Sequence, residues 1–110
     1  MRTLKFIVDG LVIKQDPNCD FSGLVPGSDG YLEAAFTFSP EWNDCAKGAG
    51  FFSFLGTEYE PKLLKNDRCV IPAEALTKRK FKIQIVGQAK DGSKTLTTNK
   101  VTVSQNGGKG

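Results

Sequence analysis

Residues 31–39 read YLEAAFTFS, and this stretch decides the fold class. Its apolar side chains recur at every second position and are Leu32, Ala34, Phe36 and Phe38. A period of two places such side chains on one face of a β-strand, whereas a helix would need spacings of three and four. The sequence therefore predicts a strand with one buried face, which ends before Pro40.

Similar patterns recur on both sides of this stretch. The further strands predicted in this way cover residues 4–9, 11–14, 49–55, 58–64, 68–71, 80–85 and 94–104. Turn-forming residues rich in Gly, Pro, Asn and Asp separate them, and Gly10 is expected to mark a bulge or a strand that changes sheets. One short helical turn is predicted between Pro72 and Leu76, because proline suits a first helical position.

Many short strands with a turn every 8–12 residues are typical of a β-sandwich. We predict an all-β fold, namely an antiparallel two-sheet Ig-like β-sandwich of seven to eight strands. A small closed barrel is the alternative. Residues 1–104 are expected to form a single domain, and residues 105–110 (QNGGKG) a flexible Gly-rich tail.

The composition excludes several classes of function. The 110 residues include no histidine, so Ser-His-Asp and Cys-His catalysis and every histidine-ligated metal site are excluded. The three cysteines lie far apart and form no CxxC pair, which favours free thiols over a zinc site. No apolar run approaches the roughly 20 residues of a membrane span, so no membrane insertion is expected. We predict a protein that is not an enzyme, with no catalytic residues, no metal and no cofactor.

The charge is divided unequally along the chain. Residues 1–60 carry four bases and nine acids, a net charge of −5, and residues 61–110 carry eleven bases and three acids, a net charge of +8. The densest cluster of positive charge comprises Lys78, Arg79, Lys80 and Lys82. It indicates either a contact with an anionic partner or a solvated outer face.

Nucleic acid is not the expected partner of this basic cluster. Proteins that bind single strands place aromatic side chains between their cations, and the only aromatic residue in the basic half, Phe81, is predicted to be in the core. A nucleic-acid-binding barrel that uses the cluster remains an alternative.

Three aromatic residues of the acidic half are candidate interface residues: Trp42, Tyr31 and Tyr59. Exposed rings of this kind can stack on sugars or anchor a protein interface. For Trp42, the alternative is a core residue that covers a sheet corner. The second functional hypothesis is therefore a carbohydrate-binding host-adhesion module, whose partner would be a host-surface glycan.

The order of several short motifs resembles a known family. These segments are residues 32–42 (L-x-A-x-F-x-F-S-x-E-W), Lys47, residues 51–52 (FF), residues 69–76 (CVIPAEAL), residues 81–87 (F-x-I-x-I-V-G) and residues 96–98 (LTT). Together they resemble the Ig-like N-terminal β-sandwich domains of phage virion proteins, of the baseplate, tail-fibre or head-fibre type, from phages of Gram-positive bacteria. The segment 69–76 is the most specific part of the resemblance.

The resemblance implies a non-enzymatic bacteriophage virion structural protein. Such a protein would decorate a capsid, anchor a fibre or form part of a tail or baseplate. Its partners would be other virion proteins, contacted in multiple copies. It would be made in the host cytoplasm and assembled into the virion.

Overall fold

The computed structural model describes residues 2–24, 32–77 and 79–105. In these residues the chain forms nine strands and one short α-helix. The elements in chain order are β1 (Arg2–Asp9), β2 (Val12–Gln15), β3 (Leu32–Phe38), β4 (Cys45–Ser53), β5 (Lys62–Leu63), β6 (Arg68–Val70), α1 (Ala73–Leu76), β7 (Lys80–Ala89), β8 (Thr95–Thr97) and β9 (Val101–Ser104), with a 3₁₀ turn at Pro40–Trp42 between β3 and β4.

The strands form two sheets, as predicted. The first sheet has the strand order β2-β1-β3-β6, and the second has the order β5-β4-β7-β8, with β9 also paired to β7. The prediction of an all-β two-sheet fold is confirmed, and so is the helical turn, which α1 forms directly after Pro72. The strand number is nine among the described residues, against the seven to eight expected.

The expected antiparallel pairing fails at one place. β1 and β3 run parallel over seven residue pairs, from Arg2 opposite Leu32 to Val8 opposite Phe38. A parallel pair needs a crossover of a dozen or more residues. Residues 16–31, which follow β2, provide a connection of that length. The alternation of apolar residues specifies which face is buried and leaves the direction of pairing open.

Strand boundaries also differ from the predictions for identifiable reasons. Gly10 adopts a positive φ of 59° and reverses the chain, so β2 returns along β1 in the same sheet and does not move to the other. The predicted strand 94–104 is interrupted because the Thr98 hydroxyl accepts the backbone N–H of Ile85 at 3.0 Å and replaces a ladder contact. The predicted strand 58–64 contains Pro61 and is reduced to the two residues of β5.

The core lies between the two sheets. The inward side chains of β1 and β3 meet those of β4, β7 and β9, and Ile71, Ala75 and Leu76 close one end. The first sheet contributes Leu4, Phe6, Val8, Leu32, Ala34 and Phe36, and the second contributes Ala49, Phe51, Phe81, Ile83, Ile85 and Val103. These strands therefore expose only their other faces.

The predicted tail begins one residue too early. Gln105 is buried: its side-chain amide donates to the carbonyl of Leu76 at 3.2 Å, and its backbone N–H donates to the carbonyl of Arg79 at 2.6 Å. These contacts hold the chain after β9 against the end of α1. Residues 106–110 lie outside the described residues.

Candidate functional site

Trp42, the first candidate interface residue, is part of the core. Its side chain is 0% exposed, and its indole N–H donates to the carbonyl of Gly10 at 2.7 Å. The ring lies against Gly87 of β7 so closely that a Cβ added there would sit 2.6 Å from a ring carbon. The prediction of an exposed stacking platform is therefore wrong for Trp42, and the alternative, a core residue at a sheet corner, is confirmed.

The other candidate interface residues differ in their exposure to solvent. Tyr31 and Lys78 lie outside the described residues. Tyr59 is half-buried and packs against the core, while its backbone N–H donates to the carbonyl of Phe51 at 2.7 Å. Arg79 and Lys80 are exposed and Lys82 is half-buried at the start of β7.

The strands of the second sheet carry basic side chains and no acidic ones. Its five strands contain four lysines, at positions 47, 62, 80 and 82, and no aspartate or glutamate. Lys80 and Lys82 alternate with the buried Phe81, so both project from the outer face, as the sequence predicts. The strands of the first sheet also carry four bases, but with two acids, so both sheets are net positive and the split of charge along the chain is not reproduced between them.

The basic cluster does have an exposed aromatic partner, which the sequence analysis missed. The Phe54 ring is 51% exposed, and the ammonium nitrogens of Lys80 and Lys82 lie 5.1 and 5.2 Å from its centroid. Both distances are within the range of cation–π attraction. We call Phe54, Lys80 and Lys82 the basic–aromatic cluster. The antiparallel register of β4 and β7, which sets Phe52 opposite Lys82, produces it.

A second cation–ring pair extends the cluster along the same face. The ammonium nitrogen of Lys100 lies 4.0 Å from the centroid of the Phe52 ring. That ring in turn covers Gly50, where a Cβ would lie 3.1 Å from a ring carbon. Lys100 and Gly50 thus enclose Phe52 on the outer face, which explains why this outward residue is buried.

A groove opens beside the cluster at the end of the sheet. Its volume is about 720 Å³, within the range of ligand-binding clefts. The lining residues are Ser53, Phe54, Leu55, Thr57, Tyr59, Arg79 and Lys80. The hairpin that follows β4 provides apolar and hydroxyl groups, and the start of β7 provides two cations.

An exposed apolar row crosses the middle of the same sheet. In the ladder, Leu63 of β5 is opposite Gly48 of β4, and Gly48 is opposite Val86 of β7. Leu63 is 84% and Val86 41% exposed. Because Gly48 has no side chain, Leu63 and Val86 flank a shallow depression about two strand spacings, or roughly 10 Å, wide. We call these three residues the apolar row.

The cysteines are all free thiols, as predicted. Burial raises the pKa of the Cys69 thiol to about 12; the nearby Lys62 opposes this rise and Glu33 adds to it. The thiol is therefore protonated, and a poor nucleophile, at neutral pH. Cys45 is buried at the start of β4.

Within the described ranges, no three histidine, cysteine or acidic side chains are grouped as a metal site would require. The helices of that part of the chain are too short to cross a bilayer. Comparison with models of protein families, with curated proteins and with solved structures found no match.

Proposed function

We propose that this protein is a non-enzymatic structural component of a bacteriophage particle, which works through protein–protein contacts in several copies. The resemblance of roughly residues 30–104 to phage virion domains suggests the setting. The observation that carries the mode of action is the apolar row on the second sheet. The protein would be made in the host cytoplasm and assembled into the virion.

The apolar row is suited to docking because its exposure is unfavourable for a free protein. Burying apolar surface contributes roughly 25 cal/mol per Å². Leu63 stands on a two-residue edge strand, almost wholly in solvent, and Val86 lies at the same level two strands away. A partner side chain that enters above Gly48 would contact both. Leu63 and Val86 together are a small apolar surface, so a single contact of this kind is expected to be weak.

Repeated copies would strengthen such a small contact. Once one copy of a multivalent assembly is bound, the next contact forms at a high effective concentration. A weak single interface is therefore compatible with stable incorporation into a symmetric particle.

The carbohydrate-binding alternative loses its main candidate, because Trp42 offers no exposed ring. Tyr59 is half-buried with its ring against the core. Neither residue presents the open aromatic face that sugar stacking requires.

Particles provide the test of the proposed function. We expect the protein to co-sediment with density-gradient-purified particles from the strain that encodes it, in a fixed number of copies per particle measured by quantitative mass spectrometry. Its absence from such particles would contradict the proposal.

A matched pair of double variants tests the apolar row. Leu63→Gln with Val86→Gln should lower the copies per particle by about tenfold, because a loss of about 1.4 kcal/mol in docking free energy suffices for that change. Val12→Gln with Val70→Gln removes two exposed apolar residues from the first sheet and should leave the copy number unchanged. Equal effects of the two pairs would exclude the apolar row as the docking surface, provided that circular dichroism shows both variants folded.

A further inference from the structure

We infer that the groove and the basic–aromatic cluster beside it form a binding site for single-stranded nucleic acid. This site is separate from the apolar row and would add a second contact to the proposed structural role. It depends on the arrangement around Phe54, where two ammonium groups lie within 5.2 Å of the centroid of an exposed ring.

The first argument is the pairing of rings with cations. Proteins that bind single strands without sequence preference combine cations for the phosphates with aromatic rings on which bases stack. Phe54 is half exposed within 5.2 Å of the ammonium groups of both Lys80 and Lys82. A base that stacks on Phe54 would displace these groups from the ring, and its flanking phosphates would then receive them.

The second argument is charge. Arg79 and Lys80 line the groove, Lys82 stands beside it, and Lys100 lies farther along the same face. The acid nearest in the ladder is Glu58, which pairs with Phe52 through an isolated bridge. Among the described residues, the bases on this face therefore outnumber the acid that the ladder places beside them. An anionic chain would experience a local positive field here, although the net charge of the whole protein is only +3.

The third argument is the shape and lining of the groove. Phe54, Leu55 and Tyr59 supply an apolar surface, and the hydroxyls of Ser53 and Thr57 supply hydrogen-bonding groups. A cleft of about 720 Å³ with this lining suits a flat base with its sugar. An acidic peptide would use the cations and would gain nothing from an aromatic ring.

Binding of a fluorescein-labelled oligonucleotide of fifteen thymidines, measured by fluorescence anisotropy, tests this inference. We expect an association constant that falls with salt, with a slope of log K against log[NaCl] of about −2 to −3, because each phosphate neutralised on a single strand contributes about −0.7. Absence of binding at 20 mM NaCl would overturn the proposal.

Charge variants test the location of the site. Lys80→Gln with Lys82→Gln should reduce the magnitude of the salt slope by about 1.4, since two phosphate contacts are lost. Lys5→Gln with Lys14→Gln removes two exposed lysines from the first sheet, with the same change in net charge, and should leave the slope unchanged. Equal changes in the two variants would show non-specific attraction only and would overturn the site.

Ring variants distinguish nucleic acid from an acidic peptide. Phe54→Leu should weaken oligonucleotide binding about fivefold or more, and Phe54→Tyr, which keeps a stacking face, should restore it to within about twofold. If poly-glutamate of equal charge competes as well as the oligonucleotide and Phe54→Leu has no effect, the groove binds acidic chains by charge alone and the inference is wrong.

Discussion

Trp42→Ala should lower the free energy of unfolding by about 3–5 kcal/mol, the range for removal of a buried aromatic side chain. The ring is completely buried and packs beside Phe38, with a distance of 5.3 Å between the ring centroids. Its N–H also holds the turn at Gly10, whose own N–H donates to the Ser39 hydroxyl at 2.9 Å. The substitution therefore leaves a cavity and an unpaired carbonyl at once. Urea denaturation followed by circular dichroism measures the loss.

Trp42→Phe separates the two contributions. It retains most of the ring volume and removes the hydrogen bond, so it should cost about 1–3 kcal/mol, the penalty for a buried group left without a partner. A result below 0.5 kcal/mol for Trp42→Ala itself, on the scale of an ordinary surface substitution, would contradict the assignment of Trp42 to the core.

Gly87→Ala should destabilise the protein by about 3 kcal/mol, at the upper end of the cost of overpacking. The new Cβ would lie 2.6 and 2.8 Å from two carbons of the Trp42 ring, and the ring is enclosed by core residues and cannot move freely. Thermal and urea unfolding would both report the change.

Gly48→Ala is the matched control for Gly87→Ala. Gly48 lies in the neighbouring strand, and a Cβ there would meet only the Lys62 carbonyl oxygen at 3.5 Å, an ordinary contact. We expect little change or a slight gain, because alanine lowers the entropy of the unfolded chain. The double variant Trp42→Ala with Gly87→Ala should lose less free energy of unfolding than the two single variants lose in sum. The reason is that the clash at residue 87 disappears when the ring is removed. Strict additivity would contradict the contact.

The sequence predicts those parts of the fold that depend on local patterns. The alternation in residues 31–39 and around Phe81 predicts strands with one buried face, and Pro72 predicts the helical turn. The parallel pairing of β1 with β3 depends on contacts between residues about thirty positions apart. No local pattern determines the direction of such a pair.

Trp42 shows the same limit at a single residue. It follows a strand end and is surrounded by Pro40, Glu41 and Asn43, and this local sequence leaves both an exposed platform and a core position open. Its burial depends on the absence of a side chain at Gly87, 45 positions along the chain. The Trp42 ring packs directly against Gly87, and this contact can be known only once the positions of the strands are known.

The binding surfaces were predicted in part. The outward direction of Lys80 and Lys82 follows from alternation with Phe81 and is correct. The ring that contacts them, Phe54, belongs to residues 1–60. It was missed because aromatic partners were sought only in the basic half, residues 61–110. Leu63 falls within the predicted strand 58–64, and its position opposite Gly48 depends on the short ladder between β4 and β5.

Hydroxyl-radical footprinting of the protein inside purified particles tests the central claim, that the second sheet carries the docking surface. Radicals oxidise exposed leucine side chains, and both Leu63 on the second sheet and Leu11 in the turn that joins β1 to β2 of the first sheet are exposed in the free protein. We expect oxidation of Leu63 to fall at least about fivefold in particles relative to the free protein, with Leu11 unchanged. Unchanged oxidation of Leu63, or protection of Leu11 instead, would contradict the claim.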